Sequence, residues 1–90
     1  MKKKINKVLE HIQDLFCSIE QAENNLQYIT RLKALKKALD KFDNLLQGNE
    51  DMERVYAGEY LQLFYTGCGF SQYDRVCNSI LDYQYGNKPF

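Results

Sequence analysis

Residues 5–29 read INKVLEHIQDLFCSIEQAENNLQYI, with apolar side chains recurring at intervals of three and four. This spacing places the apolar side chains in one stripe along an α-helix, where they can pack against a partner helix. The series continues through Leu26 and Ile29, slips in phase, and resumes from Leu32 to Leu46. The first half of the chain therefore predicts long amphipathic helices and an all-α protein.

Asn24 and Asn25 interrupt this apolar stripe. Asparagine is a poor residue for a helix interior and a good N-cap, and Asn24-x-x-Gln27 resembles a capping box. We therefore predict a helical hairpin, with helices over about 4–22 and 25–46. The alternative is one straight helix of about forty residues, on the order of 60 Å long, which would bury its stripe only by dimerising.

The second half of the chain predicts two shorter, Tyr-rich helices. The second helix is expected to end at Gly48, because glycine just beyond the last apolar residue suits a left-handed C-cap. Three carboxylates follow Asn49, and they favour the positive end of a third helix over about 51–66. Gly58 weakens this helix, and Tyr60 to Tyr65 is also compatible with a strand.

A turn is predicted at Thr66 to Gly69, followed by a fourth helix. Ser71-x-x-Asp74 is a plausible N-cap pair for that helix, and Gly86 ends it. Residues 1–90 are therefore expected to form a single domain, a small bundle of about four helices.

Composition limits the class of protein. With 44% hydrophobic residues, the chain is expected to fold. No run reaches the roughly 18–20 apolar residues of a membrane span, and no apolar stretch follows Lys2, Lys3 and Lys4 as it would in a secretory signal. Twelve Lys and Arg balance twelve Asp and Glu, which argues against a chain-wide nucleic-acid surface. We expect a cytoplasmic protein with no membrane partner.

The cysteines and the histidine predict no metal or catalytic centre. Cys17, Cys68 and Cys77 are odd in number, far apart and outside any C-x-x-C pair, so we expect unpaired, mostly buried thiols in a reducing compartment. His11 is the only histidine, and nothing near it marks a nucleophile or an orienting acid. The chain is therefore predicted not to be an enzyme.

A cation or nucleotide site is not indicated either. Glu50, Asp51 and Glu53 suit the start of a helix better than a calcium loop, whose alternating acids and glycine are missing. No glycine-rich phosphate-binding motif occurs in the sequence. We expect neither a metal nor a cofactor.

The two halves of the chain differ in charge. Residues 1–45 hold nine Lys and Arg against six Asp and Glu, a net +3, whereas residues 46–90 hold three against six, a net −3. The strongest basic run lies off the apolar stripe, as a solvated helix face does, and it also offers candidate phosphate-binding residues. These candidates are Arg31, Lys33, Lys37 and Lys41, and the N-terminal lysines up to Lys7 would join them if the two helices lie side by side.

Aromatic residues are concentrated in the acidic half, which holds nine of the twelve. A small core without tryptophan can use several large rings, but this density exceeds what a buried cluster needs. Tyrosine is favoured at interfaces, where its hydroxyl meets water at the rim. An acidic, aromatic surface for a basic partner is therefore predicted. Its candidate residues are Tyr56, Tyr60, Phe64, Tyr65, Tyr73, Glu59 and Asp74.

These patterns predict a non-enzymatic helical interaction protein, an inhibitor or adaptor that binds a larger basic partner, for instance a protein that handles nucleic acid. Its composition is similar to that of small phage or mobile-element inhibitors of bacterial defence nucleases, which is an analogy and not a derivation. The alternative is a homo-oligomer that binds nucleic acid or a phosphorylated small ligand through the basic N-terminal half. A monomer and a homodimer are both compatible with the sequence.

Overall fold

The computed structural model describes residues 2–65 and 69–90, and these ranges contain five α-helices and no strand. The helices are α1 (Lys2–Glu20), α2 (Asn25–Leu46), α3 (Glu50–Val55), α4 (Ala57–Phe64) and α5 (Gln72–Gln84). The all-α prediction is confirmed, with one helix more than expected. Most of the predicted turn at Thr66 to Gly69 lies outside the described residues, as does Cys68.

The chain folds back on itself between α1 and α2. Asn24 caps α2, since its Oδ1 accepts a hydrogen bond from the backbone N–H of Gln27 at 2.8 Å. Gln27 completes a variant of the capping box, because its Oε1 accepts from the N–H of Glu23, at 3.0 Å, and not from that of the cap residue itself. The predicted hairpin is confirmed, and the single long helix is wrong.

The apolar stripes of α1 and α2 face each other and form most of the core. Leu26 is an exception to the predicted stripe, because it lies in the first turn of α2 and is 74% exposed. The buried part of the stripe in α2 therefore begins at Ile29. The largest fully buried side chains are Ile5, Ile12, Leu35, Leu39 and Phe42.

Tyr56 divides the predicted third helix into α3 and α4. Its backbone leaves the helical region, with φ −104° and ψ 17°, and its side chain turns inward. There the hydroxyl donates a hydrogen bond to Oδ1 of Asn6 on α1, at 2.6 Å. Residues up to Phe64 remain helical, so the alternative of a strand over Tyr60 to Tyr65 is wrong.

Helix α5 packs against α2 and α4, and its predicted start and end are both confirmed. Ser71 and Asp74 form a reciprocal capping box, with the Ser71 Oγ accepting from the Asp74 N–H at 3.1 Å. Beyond the helix, Gly86 adopts φ +95°, a conformation that glycine tolerates best. The tail then returns to the start of α2, where the backbone N–H of Phe90 donates to the side chain of Asn25 at 3.0 Å.

Within residues 2–65 and 69–90, no helix is both long enough and apolar enough to cross a bilayer.

Candidate functional site

Most of the aromatic residues predicted to bind a partner pack around Phe42 in the interior. The rings of Tyr56, Tyr60 and Phe64 each have centroids 6.4 Å from that of Phe42. Tyr60 stacks on Phe64 at 4.7 Å, and Phe64 lies 5.2 Å from Tyr73. We call these five residues the aromatic cluster. Since Tyr56 is only 6% exposed, it lies in the core and not on the surface where the prediction placed it.

The other predicted partner-binding residues differ in their accessibility. Glu59 is exposed on α4, and Tyr65, which follows α4, is 64% exposed. Asp74 is half-buried, because its carboxylate accepts the Ser71 N–H in the capping box of α5. Tyr60 and Tyr73 are half-buried with their rings in the aromatic cluster. The aromatic density of the acidic half therefore serves the core more than the surface.

A polar network attaches α5 to α2 at the edge of the aromatic cluster. The hydroxyl of Tyr73 donates to Oδ1 of Asp40 at 2.7 Å, and Nζ of Lys36 donates to Oδ2 of the same carboxylate at 3.0 Å. The hydrogen bond to Asp40, together with burial, raises the pKa of Tyr73 from its usual 10.0 to about 12. Partial burial opposes ionisation of Asp40, but the hydrogen bonds from Tyr73 and Lys36 prevail and lower its pKa.

The Tyr73–Asp40 hydrogen bond predicts a loss of stability in alkaline solution. The folded protein keeps the Tyr73 proton up to about pH 12, whereas the unfolded chain releases it near its usual pKa of 10.0. Stability from this group is therefore fully present below pH 10 and is lost as the pH rises towards 12. We expect the free energy of unfolding to fall less between about pH 8 and about pH 11 in Tyr73→Phe than in the unmodified protein.

Urea denaturation at the two pH values measures this difference. Tyr85→Phe is the matched control, because Tyr85 is 82% exposed and should behave as the unmodified protein does. Equal alkaline losses in the Tyr73→Phe variant and the unmodified protein would contradict the assignment.

An acidic groove lies where the end of α2 meets α3 and α4. Its volume is about 350 Å³, and its lining includes Asp43, Leu46, Glu53, Ala57, Tyr60 and Leu61. Burial and the nearby carboxylates of Asp43 and Glu53 raise the pKa of the Tyr60 hydroxyl above its usual value. The groove thus combines an apolar floor with two carboxylates, a combination suited to a cationic side chain with an aliphatic stem.

A basic groove lies between α1 and α2. Its volume is about 480 Å³, and its floor is formed by Val8, Ala34 and Ala38. Its cationic lining residues are Lys4, Lys7, Lys37 and Lys41, and His11 lines it as well. The hairpin therefore brings the N-terminal lysines beside those of α2, as expected for helices lying side by side.

Only two of the four predicted phosphate-binding residues line the basic groove. Lys37 and Lys41 do so, whereas Lys33 is exposed and absent from the lining. Arg31 is half-buried, and its Nη1 donates to the backbone carbonyl of Ser18 at 2.6 Å, so its guanidinium braces the end of the hairpin.

The carboxylates of the acidic groove were not singled out from the sequence as binding residues. Asp43 lies 10 residues before Glu53, and only the fold brings them to one groove. The positions of Lys41 and Asp43 did indicate a separation of charge on α2. Two residues along an α-helix correspond to a rotation of about 200°, which places these two charges on opposite faces.

The prediction for the cysteines is wrong in part, whereas the prediction for the acidic residues at the start of α3 is confirmed. Cys17 and Cys77 are free, but Cys17 is exposed and Cys77 half-buried, so the expectation of mostly buried thiols is wrong for Cys17. Glu50, Asp51 and Glu53 occupy the first turn of α3, as predicted for a helix start. Among the residues that the structure describes, no group of three or more His, Cys, Asp or Glu side chains could hold a metal ion.

Comparison with known proteins gives no family. No family model matches the chain, no curated protein matches it, and no solved structure matches its fold.

Proposed function

We propose that this chain is a non-enzymatic interaction protein that binds a larger basic protein through the acidic groove. The observation that carries the proposal is the convergence of Asp43 and Glu53 on an apolar groove of about 350 Å³. Lysine and arginine combine an aliphatic stem with a cationic head. Such a side chain would lay its stem on the floor of the groove and direct its head to the two carboxylates.

Exposed apolar side chains on α4 and directly after it support contact with a protein surface. Leu61 is 53% exposed on α4, and Tyr65, one helical turn further along the chain, is 64% exposed. Glu59 is exposed on the same helix but lines a different groove. Exposed large apolar side chains beside polar groups are typical of interface anchors. A partner with both cationic and apolar residues at its surface would therefore be recognised.

Proteins that handle nucleic acid have basic surfaces of this kind. A helical protein seated on such a surface would occlude it, which is how a small inhibitor of a nuclease acts. Inhibition of a bacterial defence nuclease by a phage or mobile-element protein remains one instance of this proposal, supported by the acidic groove and by composition.

The proposal is tested with a short peptide in which arginine and leucine alternate, titrated into isotopically labelled protein and followed by NMR. We expect the largest chemical-shift changes at the residues of the acidic groove. The double variant Asp43→Asn, Glu53→Gln should weaken binding by about tenfold, equivalent to about 1.4 kcal/mol, because the cationic heads lose both carboxylates.

The matched control is Glu10→Gln, Asp14→Asn, which removes the same charge from exposed positions on α1. We expect this control to bind within about twofold of the unmodified protein. Equal weakening in the two double variants, or shift changes centred away from the acidic groove, would refute the assignment. Circular dichroism establishes that all variants remain helical.

A further inference from the structure

The basic groove is lined by cationic side chains, with no carboxylate among its described lining residues. The cationic residues are Lys4, Lys7, Lys37 and Lys41. The one ion pair found in residues 2–65 and 69–90 joins Lys36 to Asp40, outside the groove. Four lysines from two helices therefore line a common space, and none of them forms an ion pair within the described residues.

The shape of the basic groove favours a ligand with an apolar or planar body. Its floor consists of Val8, Ala34 and Ala38, which are small and aliphatic. Val8 and Ala38 are buried in the hairpin core, so the floor is set by the packing of α1 on α2. The volume of about 480 Å³ lies within the roughly 300–1,000 Å³ usual for small-molecule sites.

The length of the basic groove favours a compact ligand over a nucleic-acid strand. From Ala34 to Lys41 the helix rises by about 10 Å. A strand with one phosphate per 3.4 Å or so would place only about three phosphates along it. Residues 46–90 carry a net −3, so that half of the chain adds no net basic charge to the groove. A ligand that concentrates its charge in one place would use all four lysines.

We propose that the basic groove binds a small organic phosphate that carries two or more phosphate groups on a planar or apolar body, the chemical class of nucleoside di- and triphosphates. The lysines hold the phosphates as point charges, and the aliphatic floor receives the body of the ligand. This site is separate from the acidic groove, since the two lie on opposite faces of α2 and share no lining residue. It stands or falls independently of the proposed function.

Calorimetric titration with adenosine triphosphate, inorganic triphosphate and adenosine tests the proposal. We expect adenosine triphosphate to bind more tightly than inorganic triphosphate, and adenosine to bind weakly, because the site uses both the charge and the body. Affinity should fall as salt rises, since each lysine contact releases counterions. Equal affinity for the two triphosphates would overturn the role of the aliphatic floor.

Paired lysine variants locate the site. Lys7→Gln, Lys37→Gln removes two lysines from the basic groove, and Lys3→Gln, Lys33→Gln removes two exposed lysines that do not line it, from the same helices. We expect the first pair to weaken adenosine triphosphate binding by about tenfold or more and the second by less than about twofold. Equal weakening would mean general charge attraction and would overturn the proposal.

A third variant tests the groove without changing any charge. Ala34→Leu fills part of the floor, and it should weaken adenosine triphosphate more than inorganic triphosphate. A single-stranded oligonucleotide is titrated alongside. If the oligonucleotide binds more tightly than adenosine triphosphate and loses affinity in Lys7→Gln, Lys37→Gln, the groove is a nucleic-acid contact and the proposal is wrong.

Discussion

Phe42→Ala should lower the free energy of unfolding by about 3–5 kcal/mol, the range for removing a fully buried phenylalanine. Phe42 is 0% exposed, and its ring is the one against which Tyr56, Tyr60 and Phe64 pack. Removing it leaves a cavity at the point where α2, α3 and α4 meet. Native proteins are stable by only about 5–15 kcal/mol, so this loss is a large fraction of the total.

Urea denaturation followed by circular dichroism measures this loss, and the melting temperature should fall by about 15 °C or more. Phe70→Ala is the matched control, because Phe70 is 68% exposed and its removal should cost less than about 0.5 kcal/mol. If Phe42→Ala is no more destabilising than Phe70→Ala, the aromatic cluster is not the centre of the core.

Tyr56→Ala should lower the free energy of unfolding by about 3 kcal/mol or more, through loss of a buried ring. Tyr56 contacts Phe42 edge-on, with an interplanar angle of 90°, and its hydroxyl reaches Asn6 on α1. It therefore joins the α3–α4 segment to the hairpin. Tyr56→Phe keeps the ring and loses only the hydrogen bond, so it should cost about 0.5–1.5 kcal/mol.

The two Tyr56 variants separate packing from hydrogen bonding when both are measured by urea denaturation. The control is Tyr85→Ala, at a tyrosine that is 82% exposed. If Tyr56→Ala lowers the free energy of unfolding no more than Tyr85→Ala does, Tyr56 lies on the surface, as the sequence predicted, and not in the core. Equal losses in Tyr56→Ala and Tyr56→Phe would instead place the energy in the hydrogen bond to Asn6.

Local signals in the sequence were sufficient for most of the helical architecture. Asn24 caps α2 and Ser71 caps α5, because a short polar side chain at these positions satisfies backbone N–H groups within its own turn. Gly48 follows α2 with φ +79°, a conformation that depends on the residue itself. The stripe of apolar residues identified the buried faces of α1 and α2, with Leu26 as the exception.

Gly58 indicated a weak point in the predicted third helix but did not locate the break at Tyr56. Backbone hydrogen bonds continue through it, with the Tyr56 N–H donating to Met52 and its carbonyl accepting from Tyr60. At the break, the Tyr56 side chain contacts Phe42 and Asn6, which are distant in sequence. Periodicity also could not separate core tyrosines from surface ones, because burial of Tyr56 and Tyr60 depends on their packing against Phe42 of α2.

The two grooves were predictable only in part, for the same physical reason. A run of lysines on α2 was visible as Lys33, Lys37 and Lys41, but its register against α1 decides which of them face Lys4 and Lys7. That register follows from the packing of the whole hairpin. The position of Arg31 could not be predicted from the sequence, because its hydrogen bond to the Ser18 carbonyl depends on how the hairpin closes.

The arrangement of the two grooves on opposite faces of α2 makes the molecule an electric dipole without a net charge. A charged partner at long range attracts this protein only weakly, because the net charge of the protein is zero. The field of the partner instead exerts a torque on the protein dipole, which turns the matching groove towards the partner before contact. The grooves are separated by one helix, about 10 Å across. That distance is close to the screening length of about 8 Å at physiological ionic strength. Oppositely charged ligands in the two grooves would thus attract each other across α2, more strongly in dilute buffer than in the salt of a cell.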